Sequence, residues 1–537
     1  DAMREERLPF DAELPGQMRR VDPRQVRNAA GGWVFPVSEW DRLLRFLIIG
    51  TEGGTFYLTE EQIRAENAVN VAHCLAQDGP RVVEMAAEVM ESGRAYRRSP
   101  SLYVLALAFR SKDEKTRKAA ATHFARIVQT GGDLLTFASF MKETETGWGR
   151  TKRAAVRRWF ATREPRDLAY QVLKYRGRAG RTPRDLIHLA HPRPSDFQDE
   201  VQREIIRWVV EGGWEKIPKR PPDHPALRLI WAFERAKRAS SETEIIELIN
   251  EYQLTWELIP PRFLNSASVW KALLPHLPAN ALIRHLGHIT SLGVLDDQGA
   301  RQRLLDRLEG IANARIHPVR LLIAAVVYAQ GKGMRRTWKP DPEVSKALER
   351  AFLQKARTDA PIGKPFLVGL DISGSMWQMV REDHASPIIA AAAYGFYVMH
   401  AEPKAAVVAF DIRIHRLVEE AVPSLLKLLE LLGRLGKGAT DLALPFQYAR
   451  RHMNTADLAA VVVVTDNETW AGKAHPFQEL RELRRINPYI RSINVACTAT
   501  GYGLTEPDNP LDFQIVGFDP IVPEIIREIV EAEPPTG

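Results

Sequence analysis

Two groups of residues in this sequence have the types and spacing to do chemistry. Asp371-Ile372-Ser373-Gly374-Ser375 closes the apolar run PFLVGLD, and Asp466 closes a second run, AVVVVTD. Thr440 lies between them, in the loop GKGATD. Two carboxylates and three hydroxyls are hard oxygen donors. They suit Mg²⁺, which takes few carboxylates and keeps several waters. The serines could instead cap the helix that follows. The second group is the stretch Trp148–Arg184. It holds twelve basic residues (Arg150, Lys152, Arg153, Arg157, Arg158, Arg163, Arg166, Lys174, Arg176, Arg178, Arg181 and Arg184) against Glu164 and Asp167. This window carries +10 while the whole chain carries +7, so the rest sums to −3. Arginine outnumbers lysine ten to two, favouring bidentate phosphate contacts and stacking on bases. Trp148, Trp159, Phe160, Tyr170 and Tyr175 are interleaved with the charge. A local patch of this kind is the electrostatic footprint of a polyanion site, most often for nucleic acid.

Other chemistries find little support. DISGSM is not a G-x-S-x-G nucleophile elbow, and GRLGKGAT lacks the GK[ST] ending of a phosphate-binding loop. His188 with His191 and His285 with His288 have ligand-like spacing. No cysteine or acid set accompanies them, so core or hydrogen-bonding roles are expected. No clustered carboxylates suggest a two-metal nuclease. The chain reads as a binder, not an enzyme.

Positioning these groups takes two kinds of element. Residues 1–40 are rich in Pro, Gly and Arg and are expected to form an irregular arm. From Asp41 the chain becomes helical. A short helix ends at Gly50, TEGGTFYLT turns, and Thr59 with Gln62 forms a capping box for a helix with Val69, Ala72, Leu75 and Ala76 on one face. About a dozen short amphipathic helices follow, the basic window reading as helix, turn, helix and a glycine-loosened segment 174–184. Such helices cannot each bury a face alone, and stacking as an α-solenoid solves this. The pattern changes near residue 360. Apolar runs at 365–371, 405–411, 460–466, 490–496 and 513–518 alternate with helical stretches, which predicts a mostly parallel sheet buried on both faces. An antiparallel edge is expected at 412–419 and a linker at 337–364. In such sheets ligands bind beyond the carboxyl ends of the strands, where Asp371 and Asp466 fall.

Length and composition agree. The 537 residues call for two or three domains, and 45% hydrophobic with 26% charged residues is ordinary for a folded soluble protein. Two cysteines, Cys74 and Cys497, exclude a disulfide framework or cysteine zinc site and suit a reducing, cytoplasmic setting. No apolar run approaches the ~20 residues of a membrane span, and the start DAMREER lacks a signal-peptide pattern.

The D-x-S-x-S spacing after a buried strand resembles the metal-ion-dependent adhesion site of von Willebrand factor A domains. That resemblance implies Asp371, Ser373, Ser375, Thr440 and Asp466 as the metal set. The stretches RFLIIGTEGGTFYL (45–58), TGWGRTKRAAVRRWF (146–160), LKYRGRAGRTPRDLIHLAHPRP (173–194), LPANALIRHLGHIT (277–290) and RIHPVRLLIAAVVYAQGKG (315–333), with FLVGLDISGSM (366–376), resemble the Ro ribonucleoprotein family in its bacterial form. The resemblance implies a TROVE ring of HEAT-like helical repeats at 41–360, closed by an A domain at 361–537. It implies Y RNA on the outer surface and single-stranded ends of misfolded or immature noncoding RNA, such as ribosomal RNA precursors, in a central hole. Lys174, Arg178 and His191 fall on family positions for RNA contact. Arg150, Lys152, Arg153 and Arg157 would line the same surface, and Arg181 lies in the same segment. The family also implies RNA quality control, maturation or decay under stress, polynucleotide phosphorylase as a partner in bacteria, and a monomer. The sequence departs at Gly180-Arg181, where vertebrate members carry a bulky aromatic. Two other readings stay open: a protein-interaction scaffold acting through the metal of the A domain, and a metal-dependent ribonuclease.

Overall fold

The computed structural model describes residues 16–532, apart from 29–30, 37, 51–59, 93–94, 96, 179, 315, 317, 334–335, 359, 378–385, 420–421, 437, 468–470, 498–501, 505, 507–508 and 517–521. The chain divides into two compact units. One holds residues 46–50 and 68–355; the other holds 1–45, 51–67 and 356–537.

The first unit is helical. In chain order the helices up to residue 358 are α1 (Glu39–Ile49), α2 (Glu60–Glu91), α3 (Ser99–Arg110), α4 (Glu114–Ile127), α5 (Gly131–Glu143), α6 (Arg150–Ala161), α7 (Pro165–Lys174), α8 (Pro183–Ala190), α9 (Glu200–Glu211), α10 (Pro225–Arg238), α11 (Glu242–Tyr252), α12 (Ala267–Leu273), α13 (Ala279–Ser291), α14 (Gln298–Glu309), α15 (Pro318–Ala329) and α16 (Pro342–Thr358), of which α1, α2 and α16 belong to this unit only in part. From α3 to α12, helices pack on partners one to three places along the chain, the nearest-neighbour pattern of a helical repeat.

Several expectations need correction. The segment 337–364, expected as a linker, contains the 17-residue α16. Helices α5 and α8 carry weak signals in the sequence. In α5 eight of thirteen residues are buried, which blurs the amphipathic period, while α8 is only eight residues long. Both are capped through a Thr–Asp capping box, Thr130 with Asp133 and Thr182 with Asp185. In α2 the small apolar face points outward. Val69 is 72% exposed, and Asn67, Asn70, Val71 and Cys74 are the buried positions between residues 67 and 78. The backbone of α2 breaks at Asp78, two residues before Pro80. The Thr59–Gln62 capping box lies outside the described residues.

The second unit carries a six-stranded sheet in the order β5-β4-β3-β6-β7-β9, where β3 is Phe366–Asp371, β4 Ala406–Phe410, β5 Ile414–Leu417, β6 Ala460–Thr465, β7 Arg491–Ala496 and β9 Asp512–Val516. All neighbours are parallel except β5 on β4. Helices α17 (Pro387–Ala401), α18 (Leu425–Leu435), α19 (Leu444–His452), α20 (Pro476–Ile486) and α21 (Val522–Glu531) alternate with the strands. Strands β3, β6 and β7 are buried at every position, as continuous apolar runs require in a sheet covered on both faces. The chain order reverses between β3 and β6, so the carboxyl ends of these two strands mark the switch point.

The described part of the N-terminal segment is not an irregular arm. Strands β1 (Val26–Arg27) and β2 (Trp33–Pro36) form a small antiparallel sheet with β8 (Tyr502–Gly503). His475, 1% exposed, pairs through Nδ1 with Gln25 Nε2 (3.1 Å) and through Nε2 with the Arg19 carbonyl (2.9 Å). The Phe35 ring meets Phe477 edge-on at 5.0 Å. These residues belong to the α/β unit.

Candidate nucleic-acid interface and candidate cation site

The basic window is built on α6, α7 and α8. Helix α6 buries Ala155, Val156, Trp159 and Phe160. That apolar spacing turns Arg150, Arg153 and Arg158 to solvent and leaves Arg157 half-buried. Trp159 Nε1–H donates to the Val128 carbonyl at 2.8 Å, and the Arg163 guanidinium lies 3.9 Å from its ring. Trp159 and Phe160 are therefore core residues, and only Trp148, Tyr170 and Tyr175 among the interleaved aromatics keep partial exposure.

Four of the twelve cations have their head groups engaged. Lys152 Nζ donates to the Gly147 carbonyl (2.5 Å), and burial, then Arg117, lower its ammonium pKa. Arg163 binds Asp167 and the Gln129 carbonyl. Arg176 donates to the Leu173 carbonyl at 2.7 Å and lies over the Phe233 ring. Lys174 Nζ pairs with Glu257 Oε1 (3.0 Å) and donates to the Tyr170 hydroxyl (3.2 Å). Burial works against its charge, but these two partners outweigh it and hold its pKa above the ordinary lysine value. Lys174 is thus neutralised by an acid 83 positions away, which no local pattern in the window announces.

The other eight, Arg150, Arg153, Arg157, Arg158, Arg166, Arg178, Arg181 and Arg184, make no guanidinium hydrogen bond or ion pair among the described residues. Arg178 and Arg181 face each other across a tight turn, each N–H donating to the other's carbonyl at 2.9 Å. Gly180 occupies the turn at φ +70°, where a side chain would be strained. An aromatic side chain would therefore not fit this turn unchanged. Tyr175 joins parts of the patch. Lys174 Nζ lies 5.5 Å from its ring, and a Cβ on Gly132 would sit 2.8 Å from that ring and 3.0 Å from Arg178 Nη1. Gly132→Ala is expected to displace both side chains and cost about 1–2 kcal/mol, as overpacking does, measured by denaturant unfolding. His191 stands alone. It caps α8 in the left-handed conformation (φ 49°), is exposed, and makes no side-chain hydrogen bond or ring stacking among the described residues.

The second histidine pair is structural. His285 sits between Trp256 and Trp270 (ring centroids 4.6 and 5.0 Å), and His288 Nε2 hydrogen-bonds the Leu264 carbonyl at 3.1 Å. Burial first, then the charges of His288 and Arg284, push His285 down to about 4. Above pH ~6.5 the ring is neutral in folded and unfolded chains alike. Between pH ~6.5 and about 4 only the unfolded chain takes the proton, so stability falls across that window and levels off below it. Allowing for partial solvent screening, the loss is about 2 kcal/mol. His285→Gln should flatten that part of a urea-stability profile against pH.

In the α/β unit, Asp371 ends β3 and is buried. Its Oδ1 accepts the Ser373 N–H (2.8 Å) and its Oδ2 accepts the Thr465 hydroxyl (2.7 Å). Ser373 Oγ and Ser375 Oγ are 3.3 Å apart. The Gly374 N–H donates to the Gly438 carbonyl (3.3 Å), which brings the loop carrying Thr440 to this turn. Asp466 and Thr440 are each 2% exposed. Burial first, and then the charge of Asp466, push the Asp371 carboxyl up. Two buried carboxylates, with the hydroxyl-bearing residues Ser373, Ser375 and Thr440 on the adjoining turns, form a donor set that fits a small hard cation. Bound there, Mg²⁺ would supply an open coordination position for an oxygen ligand. Among the described residues no group of three or more His, Cys, Asp and Glu side chains is placed to hold a metal.

A family model described as the TROVE domain matches residues 26–332, and one described as the Ro60 vWA domain matches residues 365–530. The chain belongs to the Ro family. It is 32% identical over 528 residues to "RNA-binding protein RO60" of Deinococcus radiodurans, covering 96% of this chain and 97% of that protein. It is 30% identical over 598 residues to "RNA-binding protein RO60" of Caenorhabditis elegans, covering 97% and 92%. The crystal structure of Deinococcus radiodurans RO (RSR) protein matches with a TM-score of 0.70 at 30% identity, covering 92% of this chain and 99% of that one. The Deinococcus relative supports placing this chain among bacterial members of the Ro family. No helix among the described residues is long and apolar enough to cross a membrane.

Proposed function

We propose that this Ro family chain is a noncatalytic RNA-binding scaffold. It takes Y RNA on the outer surface of the helical unit and single-stranded ends of misfolded or immature noncoding RNA in a central hole, serving RNA quality control, maturation or decay under stress. The carrying observation is the set of eight arginines on and around α6–α8 whose guanidinium groups are not satisfied within the described protein. So many unneutralised donors in one window are retained at a cost in self-repulsion, which phosphates would relieve. The two relatives named as RNA-binding proteins support the same reading. Arg150, Arg153, Arg178 and Arg181 would take phosphates, and Arg157 would meet the same RNA beside them. Exposed His191 and half-exposed Tyr175 would stack on unpaired bases. Lys152 and Lys174, already partnered, would orient the surface around them.

In the α/β unit, Asp371, Ser373, Ser375, Thr440 and Asp466 would hold Mg²⁺ and present it to an acidic group of a protein partner. Y RNA would tether an exoribonuclease such as polynucleotide phosphorylase to the scaffold, which would itself be monomeric and cytoplasmic. The test is filter binding of a hairpin RNA with a free 3′ tail against the same hairpin with a blunt end, over a salt series. Tight, salt-sensitive binding of the tailed RNA, recovered intact after long incubation with Mg²⁺, is the expected result. Equal competition by the blunt duplex would remove the single-stranded-end part. No binding at low salt would overturn the RNA reading, and Mg²⁺-dependent cleavage would overturn the noncatalytic one.

A further inference from the structure

A cleft of about 900 Å³ opens between the end of α6, the turn into α7 and the start of α9. Its volume falls in the range of small-ligand clefts. One wall, α6, carries Arg157 and Arg158, while the α6–α7 turn and the approach to α9 carry the acids Glu164, Asp196 and Asp199. The floor is fixed. Gln202, 5% exposed, donates from Nε2 to the carbonyls of Ala161 (3.2 Å) and Arg163 (2.6 Å), and its Oε1 accepts the Asp199 N–H at 3.3 Å. These bonds tie the first turn of α9 to the α6–α7 turn and set the spacing between the walls.

The walls differ in what they have left to give. The guanidinium groups of Arg157 and Arg158 and the carboxylate of Glu164 make no hydrogen bond or ion pair among the described residues. Asp196 accepts the Arg193 N–H (2.7 Å), and Asp199 caps α9 by accepting the Val201 N–H (2.7 Å). A phosphate alone would meet the arginines and be repelled by the acids. An amine alone would meet the reverse. The ligand that suits both walls presents an acceptor edge and a donor edge side by side. Among the bases of RNA, guanine does this: O6 and N7 accept a bidentate arginine, while N1–H and the N2 amino group offer two adjacent donors to one carboxylate. Uracil has no such donor pair. Adenine and cytosine offer a single amino group.

We propose that this cleft is a selectivity site for one unpaired guanine of the bound RNA, with Arg157 and Arg158 on its acceptor edge and Glu164 on its donor edge. The proposal rests on the RNA reading above and deepens it: phosphate contacts set affinity, and the cleft adds preference for one base.

The test uses the full chain and a hairpin RNA with a 3′ tail of alternating uridine and guanosine. It is compared by fluorescence anisotropy with the same tail carrying inosine for guanosine, and with an all-uridine tail. Inosine lacks only the N2 amino group. The guanosine tail is expected to bind about tenfold more tightly than either comparison tail, within the discrimination a bidentate pair supplies. Glu164→Gln should erase that ratio while leaving the all-uridine affinity within about twofold, since no arginine is touched. Tight binding of all three tails with equal affinity would overturn the guanine site and leave the RNA reading intact. A preference for guanosine that survives Glu164→Gln would also overturn it. Failure of every tail to bind would overturn both.

Discussion

Replacing Arg150, Arg153, Arg178 and Arg181 together by alanine is expected to weaken binding of a tailed RNA by about 10³-fold at moderate salt. These side chains have no partner inside the described protein, so their loss subtracts from RNA contacts and little else. Each arginine–phosphate contact removed should lower the slope of log affinity against log salt by about 0.7 on a single strand, so the fourfold variant should lose roughly three from that slope. Folding should change little, because exposed substitutions away from caps and ion pairs lie within about 0.5 kcal/mol each. A quadruple variant with unchanged slope would sink the interface as drawn. Lys174→Ala supplies the contrast. Its ammonium is committed to Glu257 and Tyr170, so RNA affinity should fall by less than about threefold while the buried-side partner Glu257 is stranded and stability drops.

That contrast shows what the sequence could and could not say about the site. The density of arginine in Trp148–Arg184 is a composition signal and is readable without coordinates. Which cations are free is a tertiary matter. Glu257 reaches Lys174 from a 3-10 turn far along the chain, and Gln202 and Asp196 shape the cleft beside Arg157 from outside the window. The same division holds for the fold. In the α/β unit β3, β4 and β6 are nearly continuous apolar runs bounded by turns, and β3, β4, β6, β7 and β9 fall within a residue or two of the stretches expected as strands. In the helical unit, signals fail where burial is nearly complete or the element is short, as at α5 and α8. Small apolar residues misled at Val69, Ala72 and Ala76 of α2, because the inward face there uses Asn67 and Asn70. The N-terminal segment was hardest to place. Its strands are only two and four residues long, and the longer, β2, pairs with β8 more than 460 positions later.

Mg²⁺ is expected to raise the unfolding temperature of the α/β unit in the chelator-treated protein, and Asp371→Ala or Asp466→Ala to abolish that rise. A ligand that binds only the folded state stabilises it by about 2.7 kcal/mol at a hundredfold excess over its Kd, which for a unit of this size is a shift of roughly 5–10 °C. The energy has an identifiable source. Asp371 and Asp466 end adjacent parallel strands at the switch point, both buried, and the charge of one raises the cost of ionising the other. A divalent cation between them would reverse that interaction, and the Ser373, Ser375 and Thr440 hydroxyls would complete an oxygen shell without adding charge. Ser375→Ala, removing one neutral donor at a half-buried position, should weaken the response without erasing it. Because the arginine patch lies in the helical unit, chelator should leave RNA affinity within about twofold. Stabilisation by Mg²⁺ that survives both aspartate variants would place the cation elsewhere, and a wild-type protein indifferent to Mg²⁺ would leave the two serines as local turn formers after β3.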